Sequence, residues 1–558
     1  MESYTVLSPW AESDHLVKKP ISARIDTLEG KTLGLYVSFK EYHPFFMEEL
    51  GRQIKELVPS IELSTFEYLV DAKEITEDPD HYPAFAEWVK SVDAVVGVGA
   101  DMGSCALYMG YIFAAIEDLG CPAVLLAKHQ YVNSARKGAS ARSYPDLRIV
   151  TYDGPGFVPA GVDCRTWTID VYRSVIAEML DRIIEGLTAP LSVEELNPAP
   201  RKDYSHETFT GTIDEINEHF YRRGWTNGTP VVPPTEEAVE EMLRGVDLPR
   251  DYVVAELPPM LGKATVEKIA VNGIMAGCLP TYMPVLIAAV EAMADDKLQL
   301  EGWTSSNASW QPIVVVNGPI RNALGFNTGR NFLSPYTKPQ SSIARAVAYI
   351  IMNISGCRSR IEDMSGPGSD GRFGTCIAEN EEESPWAPLQ TDFGYEAEDS
   401  SVLLFWPSEH TQVPVFSPSS TLETLCHVWH GGFDVGMMLT LPPSAARAFA
   451  DAGYSKQDIL DYVVEYNHRP SSQIPRAAIG NNHPRKGLIF PAPGLEHQAR
   501  LFWNDEHMFI LIGGEDWGTC YLGGGDHGGP ICRKANLPSA WEALCADYPA
   551  YEPEYVDY

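Results

Sequence analysis

Residues 92–128 constrain the fold more than any other stretch. The run Ala94–Val98 is uninterruptedly apolar, and the turn Gly99-Ala100-Asp101-Met102-Gly103-Ser104 follows it. A helical pattern then begins at Cys105, with Leu107, Met109, Ile112, Phe113, Ile116 and Leu119 on one side. Gly120 stops the helix, and Pro122 leads into a second apolar run, Ala123–Ala127. The pattern predicts strand, turn, helix, strand. The turn puts a thiol, Cys105, in the first turn of a helix just beyond the carboxyl end of a strand, the edge at which open α/β sheets bind ligands. The positive end of the helix dipole is expected to favour thiolate over thiol there.

The flanking sequence repeats this alternation. Leu33–Phe39 and Ile61–Phe66 read as strands, Pro44–Leu57 and Pro83–Val92 as amphipathic helices, Leu147–Tyr152 as a further strand and Tyr172–Leu187 as a long helix. Strands alternating with helices through short connections imply a parallel sheet covered on both faces. The fold class expected is therefore α/β, with a doubly wound parallel sheet over 31–188 behind an irregular leader, 1–30. Residues 189–206, with three prolines and little apolar periodicity, read as a linker. A second α/β domain is expected over 207–395, with helices at Glu236–Leu243, Ala264–Ala276, Pro280–Met293 and Ser341–Ile354. An apolar strand falls at Pro312–Val316, and 361–400 reads as irregular. A C-terminal subdomain covers 396–558, with a strand at Val402–Phe405 and a helix opened by Ser455-x-x-Asp458. A strand at Phe509–Ile512 then empties into the glycine-rich segment Gly513–Gly529.

The 558 residues carry a formal net charge of −34, which disfavours nucleic acid and anionic membranes as partners. No stretch approaches the roughly 18 uninterrupted apolar residues of a membrane helix, and the N-terminus has no secretory pattern. The ten cysteines are scattered with no CxxC pair, so neither a disulfide framework nor a zinc ribbon is supported. These features lead us to expect a cytoplasmic homo-oligomer acting on a small-molecule substrate. The sequence specifies no cofactor.

Candidate site residues fall in both halves. Asp101, Met102, Gly103, Ser104 and Cys105 form the turn, either a thiolate beside an anion-binding helix start or a buried cysteine in a tight turn. Glu267 is a general acid/base if buried near a ligand, or a helix-surface glutamate, and Asn272 and Cys278 lie in the same stretch. Asn317 and Arg321 flank a Gly-Pro turn at a strand end, where an Arg suits a carboxylate or phosphate, or an ordinary salt bridge. Glu379 stands beside an apolar stretch in a run of glutamates. His427 and His430, with Asp434 beyond, can hold a metal only if they share a face, and without a third ligand of defined spacing no metal is assigned. His527 and Cys532 in the glycine-rich tail are similar. The run GGGDHGG lacks the Gly-Lys-Ser/Thr of a phosphate loop, so its glycines are expected to let the backbone approach another segment.

The strand-turn-helix with Gly103-Ser104-Cys105 at its centre resembles the UGSC family of (seleno)proteins. The opening strand LGLYVSF with Lys40 fits that resemblance. So do NGTPVVPPTEEAVEEML (227–243), ATVEKIAVNGIMAGCLPTYMPVLIAAVEA (264–292), VVVNGPI (314–320), CIAENEEESPW (376–386) and DAGYSKQDI (451–459), all in order over residues 31–470. The resemblance implies thiol or selenol chemistry on a small molecule. Met102 stands where the family has selenocysteine or cysteine, and a thioether neither attacks as a thiolate does nor forms a disulfide with Cys105. The function expected is a thiol-dependent enzyme that cleaves or reduces a carbon–heteroatom bond in a small polar metabolite through Cys105, Asp101 and Glu267. Met102, Gly103, Ser104, Asn317, Arg321 and Glu379 are expected to bind the substrate in a cleft between the halves. The alternatives are a lyase or hydrolase built on carboxylate and histidine groups, with or without a metal, and an inactive ligand-binding paralogue.

Overall fold

A computed structural model describes residues 2–551 apart from 15–16, 69–74, 157, 160–161, 201, 360, 374, 416, 428–435, 467, 471–490, 493–494, 501–506, 516–518 and 526–528; at 77, 370, 408–410, 427, 436, 468–470, 491–492, 495–500 and 519–525 it describes the backbone alone. In chain order the first elements are β1 (Tyr4–Leu7), β2 (Thr32–Val37), α1 (His43–Leu57), β3 (Glu62–Glu67), α2 (Tyr82–Lys90), β4 (Ala94–Ala100), α3 (Gly103–Asp118), β5 (Ala123–Lys128), α4 (Val132–Ala141), β6 (Arg148–Tyr152) and α5 (Cys164–Thr188).

Strands β2 to β6 form one parallel sheet in the order β3-β2-β4-β5-β6. All seven residues of β4 are buried, as the centre of a sheet covered on both faces requires. Side chains alternate between the faces. Ala94, Val96 and Val98 pack with α1 and α5, while Val95 packs with α2, α3 and α4. Helix α4 has no apolar stripe because it docks on α3 through small residues. A Cβ at Gly110 would stand 2.2 Å from the Ala135 carbonyl oxygen, and one at Gly138 would stand 2.2 Å from that of Leu107.

The leader is not without structure. β1 pairs antiparallel with β7 (Thr208–Gly211), and Lys268 donates to the Ser8 and Ser205 carbonyls at 2.8 and 2.6 Å. Asn272 donates to Pro9 at 3.1 Å. Fifteen residues later the same leader docks on the first unit, where Arg24 and Glu117 form a fully buried ion pair at 2.8 Å. Its partners are distant in sequence, so no local periodicity announces them.

The second half is a four-layer stack. A mixed sheet of Cys376–Ala378, Ile313–Asn317, Ser401–Phe405 and Ile531–Lys534 lies over helices Val266–Met275, Met283–Met293 and Lys338–Ile350, to which it turns Val314, Val316, Val402 and Leu404. Its alternate residues Ile313, Val315, Leu403 and Phe405 meet Met438, Phe509 and Leu511 of a second sheet. That sheet (Pro407–Pro414, Thr519–Gly525, Gly436–Leu441, Met508–Ile512) turns its outer face to helices Pro418–His427, Pro443–Asp451 and Lys456–Tyr466. The first of these sheets therefore draws strands from both sides of residue 396. The glycine-rich segment supplies an inner strand, with Gly523 paired to both His410 and Met438. Among the described residues no helix is long and apolar enough to cross a membrane.

Candidate functional site

Crossovers leave β2 and β4 in opposite directions, one through α1 to β3 and the other through α3 to β5. The crevice at their carboxyl ends is the switch point of the sheet, where doubly wound folds bind ligands. The chain places Lys40, Tyr42 and His43 just after β2, Asp101 just after β4, Lys128 at the end of β5 and Tyr152 at the end of β6. All six side chains are buried.

Asp101 is the centre of the group. Its carboxylate lies 2.7 Å from the Lys40 ammonium and 3.3 Å from His43 Nε2, and the Tyr42 hydroxyl donates to it. Burial alone would raise its pKa. The Lys40 charge and the hydrogen bonds from Lys40 and His43 outweigh burial and hold the carboxyl well below the usual carboxylate range. Burial pushes the His43 imidazole below its ordinary value against the pull of Asp101, so the ring is neutral at pH 7. Burial and the Asp101 charge push the Tyr42 phenol far up, so it stays a donor. With the Nε2 proton shared with Asp101, His43 Nδ1 carries a lone pair, and among the described residues this buried atom has no hydrogen-bond partner.

The turn that follows lies against the second half. Gly103 is the first residue of α3, and its N–H donates to Oδ1 of Asn307, whose amide in turn donates to the Tyr131 hydroxyl at 3.3 Å. This satisfies one of the amide donors that a helix start leaves open, so that donor is held by protein. Only glycine fits here, because a Cβ would stand 2.4 Å from the Ser305 carbonyl oxygen and 2.8 Å from Met364 Cβ. Met102 and Ser104 are half-buried, and Cys105 is buried at 6% exposure. Asp101 and Cys105 thus bracket a turn held between the two halves.

A second constellation joins Asn317, Arg321 and Glu379. Glu379 is fully buried and accepts from the Leu389 and Ile512 amides at 2.7 and 3.2 Å and from Asn317 at 2.7 Å. Arg321 donates to the Glu379 carbonyl at 2.6 Å and pairs with Glu381 and Glu382 at 2.9 and 3.0 Å. Burial raises the Glu379 pKa, opposed by Lys456 and these donors. The cluster ties the two sheets of the second half together. Its contacts are internal to that half, apart from the Asp101 group. Glu267 is half-buried and ion-paired with Arg250 at the start of its helix, Asn272 holds the leader, and the buried Cys278 thiol is pushed far up by burial. Cys532 is buried in its strand, with its thiol pushed up to about 11. His430, Asp434, His527 and the His427 side chain lie outside the described residues. No group of three or more potential ligands that would hold a metal occurs among the described residues.

Sequence reasoning assigned no role to Tyr42, His43 or Lys128, and used Lys40 only as a mark of resemblance. The signal was nevertheless present: each stands at or within six residues of the end of an apolar strand run, the place where polar residues of a parallel sheet converge.

The UGSC family model matches residues 5–215, which takes in the leader from residue 5 on, the whole doubly wound unit, the MGSC turn and β7. The segments of resemblance beyond residue 215 lie outside that match. No curated protein matches the chain.

Proposed function

We propose that the chain is an enzyme that uses the Cys105 thiol to cleave a carbon–heteroatom bond in a small polar metabolite without net redox change, at the carboxyl edge of β2, β4 and β5. The observation that carries this reading is the packing of Lys40, Tyr42 and His43 around Asp101, four residues before Cys105. A neutral imidazole oriented by a buried carboxylate suits proton transfer, either from a thiol or from the carbon beside the bond that breaks. Tyr42 keeps its proton and is a donor for developing negative charge. Cys105 stands at the positive end of a 16-residue helix. The other candidate thiols are poorer nucleophiles, because burial pushes Cys121, Cys357 and Cys426 up to about 12. With Met102 at the motif's first place, no disulfide can close between it and Cys105, which favours cleavage without net redox change over dithiol cycling.

The Asp101–His43 pair also favours a second reading, a lyase or hydrolase in which these two groups do the acid–base work and Cys105 only lines the site. Methanethiosulfonate labelling with peptide mapping between pH 5 and 9 separates the two. The thiol reading expects Cys105 to react ahead of Cys121, Cys278 and Cys357, with a pH dependence that Asp101→Asn shifts. Equal rates for all four would remove the thiol reading and leave the acid–base one.

A further inference from the structure

Lys128 ends β5 with 3% of its surface exposed, and its ammonium acts electrostatically on Asp101, Lys40 and His43. Among the described residues it has no hydrogen bond and no ion pair. The Asp101 carboxylate is taken by Lys40, Tyr42 and His43, and the other acid near Lys128, Asp153, is exposed. The loop after β6 crosses beside the lysine with bare backbone. A Cβ on Gly156 would stand 3.2 Å from Nζ, and glycine keeps that approach clear. A largely buried lysine whose ammonium has no protein partner adds nothing to the fold that an apolar residue of the same length would not supply. In the same group, His43 Nδ1 is a fully buried polar atom with no hydrogen-bond partner among the described residues.

We infer that Lys128 is the binding residue for a carboxylate group of the substrate, held between β5 and the Asp153–Gly156 loop. His43 Nδ1, a lone-pair acceptor in the same group, calls for a donor, so the ligand that fits carries a carboxylate that accepts from the ammonium and a separate hydroxyl or amine that donates to the imidazole. Lys40 and Asp101 pair with each other, so Lys128 is left without an ion-pair partner of its own among the described residues. One cation matches a monoanion, which points to a carboxylate ahead of a phosphate dianion. The carboxylate would lie over the switch point, with the rest of the substrate extending towards Asp101 and the MGSC turn.

This inference rests on the reading of that edge as the active site, but its test reads binding and not turnover. Wild type and Lys128→Met are titrated calorimetrically with propionate and with inorganic phosphate at fixed ionic strength, and their thermal midpoints are compared. The expected result is propionate binding to the wild type that weakens about ten- to a hundredfold in Lys128→Met, the loss of one charge-assisted contact. Phosphate is expected to bind less well, and ligand-free Lys128→Met to melt at or above the wild type. Equal propionate binding by both proteins, stronger phosphate binding through Lys128, or a lower midpoint for Lys128→Met would each overturn the assignment. Cys105 labelling is read separately, so the thiol reading can fail while carboxylate binding stands, and the reverse.

Discussion

Asp101 shows how one residue sets the chemistry of its neighbours. Removing its charge leaves the Lys40 ammonium buried beside a neutral amide, so Asp101→Asn should cost about 3–5 kcal/mol, measured by urea unfolding. The pH dependence follows from the same contacts. Asp101 and His43 both titrate lower in the fold than in the unfolded chain. Each therefore contributes stability that is full above its unfolded value and lost as pH falls through its folded one. For His43 the loss begins near its ordinary pKa of about 6.5. The urea midpoint should fall as pH drops below that, and His43→Gln should flatten the decline. A decline of the same size in His43→Gln would remove the assignment to this ring. Glu379 has the opposite sign: its raised pKa gives stability that is present in acid and lost as pH rises through the raised value. At this scale the sequence shows Asp101 and Cys105 plainly, because they share a short turn. It hides Tyr42 and His43, whose partner is 58 or more residues away.

At the scale of elements, the alternation of apolar strands and amphipathic helices makes β2 to β6 and α1, α2, α3 and α5 legible in advance. The strand order, and with it the switch point between β2 and β4, comes from which strands pair and leaves no local mark. Helix α4 is hidden for another reason: its contact surface is Ala135, Gly138 and Ala139 rather than large apolar residues. The close approach of α3 and α4 predicts that Gly110→Ala, though it improves helix propensity, destabilises the protein by about 1–3 kcal/mol through overpacking. The measurement is again the denaturant midpoint. A neutral or stabilising effect would mean that the two helices separate at no cost. Asn317, Arg321 and Glu379 were legible as polar residues at strand ends. Their role as a tie between two sheets follows from the Ile512 amide, which lies 133 residues from Glu379 in sequence.

At the scale of the whole molecule, the leader and the MGSC turn join the halves from two sides. Lys268 and Asn272 hold residues 8 and 9 to the second half, while Arg24 is buried with Glu117 in the first. Burial lowers the Lys268 pKa to about 8, and its two carbonyl partners keep it in place. Lys268→Met should therefore cost about 2–3 kcal/mol and raise hydrogen exchange in residues 4–11 above that of β4. Unchanged exchange in the leader would show that β1 pairing alone anchors it. The turn that carries Cys105 has its first helical amide capped by Asn307 from the other half. The central claim is that this turn and the Asp101 group form one reacting centre. The most direct measurement is incubation of the purified protein with a cell metabolite extract, followed by mass spectrometry. The account predicts that wild type depletes a carboxylate-bearing metabolite with loss of a heteroatom group, and that both Cys105→Ser and Asp101→Asn abolish the depletion. Full depletion by Cys105→Ser, or ligand binding with no depletion by the wild type, would contradict it.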